Sequence, residues 1–437
     1  MLEMKNSGIN WIGNIPKNWS VMPIKYLKAN EDRAFVDGPF GSNLKSEHFV
    51  EDGDVYVIES GCISTGKFIF KNFKTITNEH FFTIDRSECK ENDIIIAKIG
   101  ANYGMAAELP LLDKRSVVSG NSLKLTLDSQ KMDNYLFVRE MELAKKNGGF
   151  INIVNETAQP ALSLTILNNF RLVVPPAKKQ KMISHYLKLK CDEIDELLAD
   201  IYTEIDTLEE YKCSIITEKV TKGLNPDVLM KDSCIEWIGL IPSSWNIHPV
   251  YYYFRERKAK NYDLKEQNLL SLSYGKIIRK DINASGGLLP ANFSTYNIVE
   301  AGDIIIRPTD LQNDKRSLRT GLVTEHGIIT SAYIALMSKS GVNSKYFHYL
   351  LHAYDIMKVF YNMGNGVRQG LNYSEFSKLM VIAPSREEQQ EIVDYLDNKC
   401  EQIDFIIEIK KEQLAVLDEY KKTIIYEYVT GKKEVCA

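Results

Sequence analysis

Three short stretches place chemically competent residues at suggestive spacings. GCISTGKF (61–68) opens like a phosphate-cradling loop, with Gly61, Gly66 and Lys67 in order. Such a loop needs a Ser or Thr next, to hold magnesium, and Phe68 stands there instead. The corresponding stretch SLSYGKII (271–278) lacks the first glycine too, so ATP binding is rejected. HYLLH puts His348 and His352 on one helix face, but it carries no adjacent Glu and no nearby third ligand, so a helix-surface pair is the simpler reading. Val174-Pro175-Pro176-Ala177 approaches the Asn-Pro-Pro-aromatic tetrapeptide of amino-methyltransferases but lacks both its polar and its aromatic residue. No catalytic residue, metal site or cofactor fingerprint is therefore expected in this chain.

The elements that would position other chemistry come in duplicate. WIGNIPKNW spans Trp11–Trp19 and WIGLIPSSW spans Trp237–Trp245, 226 residues apart (237 − 11), and all four tryptophans fall inside these segments. Gly13 and Pro16 punctuate a turn, with Trp and Ile as buried anchors around it. A period this long indicates two similar halves rather than a solenoid.

A second pair of segments, 177–223 and 385–432, repeats with an offset of 209, aligning Cys191 with Cys400 (400 − 191). Each follows proline, which suits a helix start. Cys191, Ile194, Leu198, Ile201, Ile205, Leu208 and Ile215 alternate steps of three and four, as heptad a and d positions do. Cys400, Ile403, Ile407, Leu414, Leu417 and Ile424 repeat the frame, with Lys212, Lys410 and Lys421 as polar breaks. Such a stripe wants a partner helix, and each copy is the obvious partner of the other, running antiparallel. The stretch Cys191–Ile215 would span roughly 37 Å at about 1.5 Å per residue.

No run of 18 apolar residues occurs, the N-terminus lacks an apolar signal region, and seven cysteines form no CxxC pair. A soluble, cytoplasmic protein in a reducing compartment is expected. The net charge of −4 hides an uneven distribution. Residues 226–383 hold 18 Lys and Arg against 14 Asp and Glu, a balance of +4, while 384–437 carries −5. A duplicated chain has approximate two-fold symmetry, and duplex DNA is the commonest two-fold target.

These residues resemble the specificity subunit of type I restriction–modification enzymes, across nearly the whole chain. The marks are MKxSxIxWIGxIPxxW opening each half, a PPxxEQ-like helix start, and the helix ending LxEYK…VTGK. The first start has Lys179 before Gln180, the second has Ser385 after Pro384, and the first ending reads VTKG at Val220–Gly223 against VTGK at Val429–Lys432. The resemblance implies a mixed α/β (α+β) fold with internal pseudo-two-fold symmetry. Two globular target-recognition domains (1–174 and 226–383) would be separated by two long helices (175–225 and 384–437) pairing as an antiparallel coiled coil. It further implies that each domain reads one half of a bipartite site in double-stranded DNA. The helices would set the spacing and dock two methyltransferase subunits, with motor-nuclease subunits joining them. The chain itself would do no chemistry, S-adenosylmethionine, ATP and magnesium belonging to the partner subunits. The rival reading is a coiled-coil scaffold that binds only protein.

Candidate DNA contacts follow. DGPFGSNLKS (37–46) is similar to a family recognition segment, and its backbone amides with Ser42, Asn43 and Lys45 suit phosphates; a plain glycine-rich turn is the alternative. Lys98, Asn102 and Tyr103 leave the strand IIIA where a groove-facing loop would begin. Asn121 and Gln159, in further family-like loops, suit base edges through paired donors and acceptors. The second region offers Lys276, Arg279, Lys280, Arg307, Arg316 and Arg319, with Arg368-Gln369 standing where the first has Ala158-Gln159. Because the two regions share few residues, the half-sites are expected to differ.

Overall fold

A computed structural model describes residues 3–64, 66–151, 153–154, 161–282, 292–309, 318–363 and 370–435. The chain forms two compact units, one of residues 1–200 with 413–437 and the other of 201–412. Among the described residues no helix is long and apolar enough to cross a membrane.

In the first unit the strand Ile94–Ala97 pairs antiparallel with Ala106–Glu108 and with Ser122–Leu125, and the latter pairs with Phe35–Asp37. The run IIIA is apolar throughout because both faces of this sheet are covered. Ile94 and Ile96 point to a core shared with helix α1 (Asn134–Lys146), whereas Ile95 and Ala97 point to a second core beside the strands Val55–Ile58 and Arg115–Val118. Helix α2 (Ala177–Lys222) follows.

The second unit repeats this order. Phe254–Glu256, Ile334–Ser338, Ile304–Ile306 and Thr320–Leu322 form the equivalent sheet. Ile304 and Ile306 face the core with helix α3 (Ser344–Ile356), and Ile305 faces the other. Helix α4 (Arg386–Val429) closes the chain. Both long helices start alike: the buried Gln180 and Gln389 donate side-chain N–H bonds to the carbonyls of Pro175 (2.8 Å) and Pro384 (3.0 Å). That is why the helix start carries Gln despite its different neighbours.

The heptad stripe is withdrawn from solvent over most of its length. Cys191, Ile194, Ile205, Ile215, Cys400, Ile403, Ile407 and Ile424 are buried; Leu198, Ile201, Leu208, Leu414 and Leu417 are half-buried. The polar breaks are the cross-helix ion pairs. Lys421 meets Asp195 in the first unit, while Lys212 meets Asp404 at 2.6 Å and Lys410 meets Glu204 at 2.5 Å in the second. Low residue numbers on α2 face high ones on α4, so within each unit the helices run antiparallel.

Each WIG segment is closed by a helix end. In the first unit the Lys432 ammonium donates to the carbonyls of Ile12 (3.1 Å) and Asn14, and Gly431 packs on Pro16 and Trp19. In the second, Lys222 donates to Ile238 (3.3 Å) and Leu240, and Gly223 packs on Trp245 and Pro242. Gly223 and Gly431 both take left-handed φ, +80° and +70°, where a side chain is strained. The inverted KG and GK endings therefore make the same closure. Trp19 and Trp245 are buried anchors as the sequence suggests, but Trp11 is half-buried and Trp237 is 40% exposed.

Candidate nucleic-acid interface

The first unit gathers several candidate loops at one end of its antiparallel sheet. Where the strand Ile94–Ala97 ends, the Lys98 backbone N–H donates to the Asn121 carbonyl (2.9 Å), and the Lys98 carbonyl accepts from Leu162 N–H (3.0 Å). The Lys98 ammonium reaches Asp37 at 2.9 Å. Gly38 donates to the Ser122 carbonyl, and a Cβ added at Gly38 would sit 1.9 Å from the Ser119 carbonyl oxygen, so only glycine lets these loops close.

From this knot the segment after Pro39 runs outward, with Ser42, Asn43 and Lys45 exposed. Stacked imidazoles of His48 and His80, 4.0 Å apart, brace it, and the Asn43 carbonyl lies 3.0 Å from His80 Nε2. Asn121 is exposed at the cluster's rim. Asn102 and Tyr103 do other work: the Asn102 amide donates to the Ile63 carbonyl (3.2 Å), and the Tyr103 ring packs on Phe150 beneath the Lys145 ammonium.

The second unit ends its equivalent strand at Arg307, whose N–H donates to the Arg319 carbonyl (2.8 Å). Pro308 accepts from Leu371 N–H (2.9 Å), the bond that Lys98 accepts from Leu162 in the first unit. Arg319 departs from the expectation of a surface cation. It is fully buried, its guanidinium donates to the Thr309 carbonyl (2.6 Å), and its N–H donates to Asp355 (2.5 Å). Its register explains this: the Arg319 carbonyl receives Arg307 N–H as the Met105 carbonyl receives Ala97 N–H, so Arg319 fills the interior place of a methionine.

Lys276 and Lys280 are exposed, and among the described residues neither has an ion-pair partner. Arg279 is exposed but held by Glu325, with Nε 2.8 Å from each carboxylate oxygen, and this contact keeps Glu325 below the usual carboxylate range. Gln159, Arg316, Arg368 and Gln369 lie outside the described residues.

The chemically suggestive stretches resolve as structure. Lys67 pairs with Asp195 at 2.5 Å. Burial raises Asp195, but hydrogen bonds from Lys421 and Lys67 outweigh it and hold the carboxyl below its usual range. His348 and His352 are not a solvated surface pair. Burial pushes them down to about 3 and about 4, so both are neutral near pH 7, and among the described residues no cluster fit for a metal occurs. Two exposed aromatics escape a search for polar readers: Phe40, 69% exposed, and Tyr274, 79% exposed. Each precedes a glycine, and that pairing of aromatic with turn residue is the signal that could have found them.

Residues 38–207 and 297–417 match the family described as the type I restriction modification DNA specificity domain. The type I restriction enzyme MjaVIII specificity subunit of Methanocaldococcus jannaschii is 24% identical, over 96% of this chain and 94% of that one. The putative MjaX specificity subunit of the same organism is 25% identical, over 97% and 96%. Among solved structures, the fold is similar to a chain from work on complex assembly and conformational transition of the type I R-M system. That match has a TM-score of 0.68 at 13% identity and covers 96% of this chain and 99% of that one. The HsdS subunit from Thermoanaerobacter tengcongensis matches with a TM-score of 0.51 at 13% identity, over 96% and 98%.

Proposed function

The chain belongs to the type I restriction modification DNA specificity family, and on that footing we propose that it is the subunit that selects the DNA site of a type I restriction–modification enzyme. Each unit reads one half of a bipartite duplex site. The observation that carries this reading is the repeated sheet end: Lys98 in one unit and Arg307-Pro308 in the other leave equivalent strands and receive the same backbone bond from Leu162 or Leu371. The scaffold is duplicated while the side chains on it differ, so two unlike half-sites are read by one architecture.

Phosphate contacts fall to Asn43, Lys45, Lys276, Lys280 and Arg307 and to the amides after Pro39, and base edges to Asn121. Methylation and cleavage belong to partner subunits: two methyltransferase subunits docked on the long helices, and motor-nuclease subunits joining that core in the cytoplasm. S-adenosylmethionine, ATP and magnesium act there. The helices, which pass through both units, set the separation of the half-sites.

Mapping methylated adenines in cells that express this chain with a cognate methyltransferase subunit tests the proposal. The expected result is one asymmetric, gapped recognition sequence that depends on this chain. Methylation that is unchanged when the chain is deleted would remove the proposal.

A further inference from the structure

The second unit carries a β-hairpin with one face on the core and the other turned away from it. Strand Leu270–Ser273 pairs with Lys276–Arg279, joined by Tyr274 and Gly275 alone. Residues directly opposite share a face. Leu270, Leu272 and Ile277 belong to the core, and the opposite face presents Ser271, Ser273, Lys276 and Ile278, with Lys280 continuing it. Ile278 is 41% exposed, and Lys276 and Lys280 are exposed cations.

The tip is strained for its residue type. Tyr274 has φ +46° and Gly275 φ +77°, the two-residue turn that favours Asn-Gly. Holding a tyrosine in the left-handed region costs about 1–2 kcal/mol, and its ring, 79% exposed, regains none of that by packing. The first unit has the equivalent hairpin, with Ser64 opposite Lys67, but there Lys67 is neutralised by Asp195. Asp404, the counterpart of Asp195, pairs with Lys212 as Asp195 does with Lys421, but among the described residues no ion pair joins it to Lys276. Gly275 packs against Leu318, the neighbour of Arg319, whose carbonyl binds Arg307 N–H, so the hairpin tip adjoins the sheet end already described.

We propose that this hairpin is a groove-entering ribbon in which Tyr274 is the leading contact with DNA and Lys276 and Lys280, on one face of one strand, hold phosphates of the flanking backbone. A two-stranded ribbon fits the major groove, which is about 12 Å wide. Lys276 and Lys280 are four residues apart, roughly 13 Å along an extended strand at about 3.3 Å per residue, far enough to meet two separate phosphates. Arg279, on the opposite face and held by Glu325, is not part of the contact. The inference rests on the specificity-subunit reading and deepens it by assigning one element and one aromatic side chain to the half-site of the second unit.

The test uses the full chain and the duplex that the wild-type protein selects from a randomised pool. Tyr274→Asn keeps a residue suited to left-handed φ, so its unfolding midpoint is expected to stay level or rise. Its affinity should fall about tenfold, within the range of about 1–3 kcal/mol for one lost base-edge contact in the major groove, with sequence preference eroded in one half-site only. Lys276→Gln with Lys280→Gln should lower the slope of log affinity against log salt by about 1.8, for two phosphates.

A Tyr274→Asn protein that binds within twofold of wild type, with both half-sites intact, overturns the inference while leaving the specificity reading standing. So does one that binds DNA normally but no longer retains a methyltransferase subunit, since the tip would then dock protein. A wild-type chain that selects no sequence removes the specificity reading and this inference together.

Discussion

Asp195 and Asp404 lie 209 residues apart (404 − 195) and hold equivalent places, each accepting a lysine from the opposite long helix. Lys421 and Lys212, the donors, are also 209 apart (421 − 212). The repeat has thus preserved a cross-helix contact, not only two similar sequences.

Reversing one pair should be felt, and reversing both its members should cancel. Lys212→Glu places two carboxylates where Lys212 now lies 2.6 and 2.7 Å from the oxygens of Asp404. Asp404 is about half exposed, so solvent screening limits the loss to about 1 kcal/mol. Adding Asp404→Lys should recover most of it, and a double-mutant cycle by urea unfolding measures the coupling.

Closure of the first WIG segment depends on the last residues of the chain. Lys432→Met keeps the aliphatic stem but takes the ammonium donor from the Asn14 carbonyl and from the Ile12 carbonyl, which keeps only the Tyr426 hydroxyl. Loss of charge-assisted hydrogen bonds of this kind costs about 1–3 kcal/mol. Hydrogen exchange should show the added opening in residues 9–19, with the equivalent segment around Trp237 unchanged.

The second unit should lose stability in mild acid. His348 and His352 are depressed from an ordinary value near 6.5 to about 3 and about 4 by burial, with His352 and Lys345 opposing charge on His348 further and Lys212 opposing it on His352. The unfolded chain therefore takes up protons first. The stability they contribute is present above about pH 6.5 and declines as the pH falls toward 4, by about 2 kcal/mol per histidine at pH 5 if each shift is fully expressed. His348→Asn with His352→Gln should flatten the pH dependence of unfolding between pH 6.5 and 5. An unchanged slope would show that other groups govern it.

Recognition should be modular. Replacing residues 24–170 with a relative's equivalent exchanges the loops around Lys98 and Asn121 and retains both WIG segments and both long helices. One half of the methylated sequence should change and the other persist. Change in both halves would break the assignment of one half-site to each unit.

Gly38→Ala probes the first interface without altering charge. The added methyl would meet backbone at 1.9 Å, so the loops must part. Overpacking of this kind costs about 1–3 kcal/mol. The expected readout is lost discrimination in one half-site, measured by binding to variant duplexes.

Periodicity and repetition made much of this protein legible from its residues. The a/d stripe from Cys191 to Ile215 and its copy from Cys400 to Ile424 mark a helix pair because helical spacing is local and the apolar face must be covered. The WIG phrases and the run Asp93–Ile96 repeated at Asp303–Ile306 mark two halves for the same reason. Strand register was not legible, because it joins residues distant in the chain, and register decides which side chains reach solvent. It put Arg319 in the interior position of Met105. Lys67 and Lys276 share one hairpin register, and only the packing of hairpin against helix decided that Lys67 meets Asp195. Nor could the residues alone show that Lys222 and Lys432, written in opposite order with their glycines, close the same turn. That equivalence arises because a long flexible ammonium reaches its carbonyls from either position, and only the folded backbone fixes where those carbonyls are.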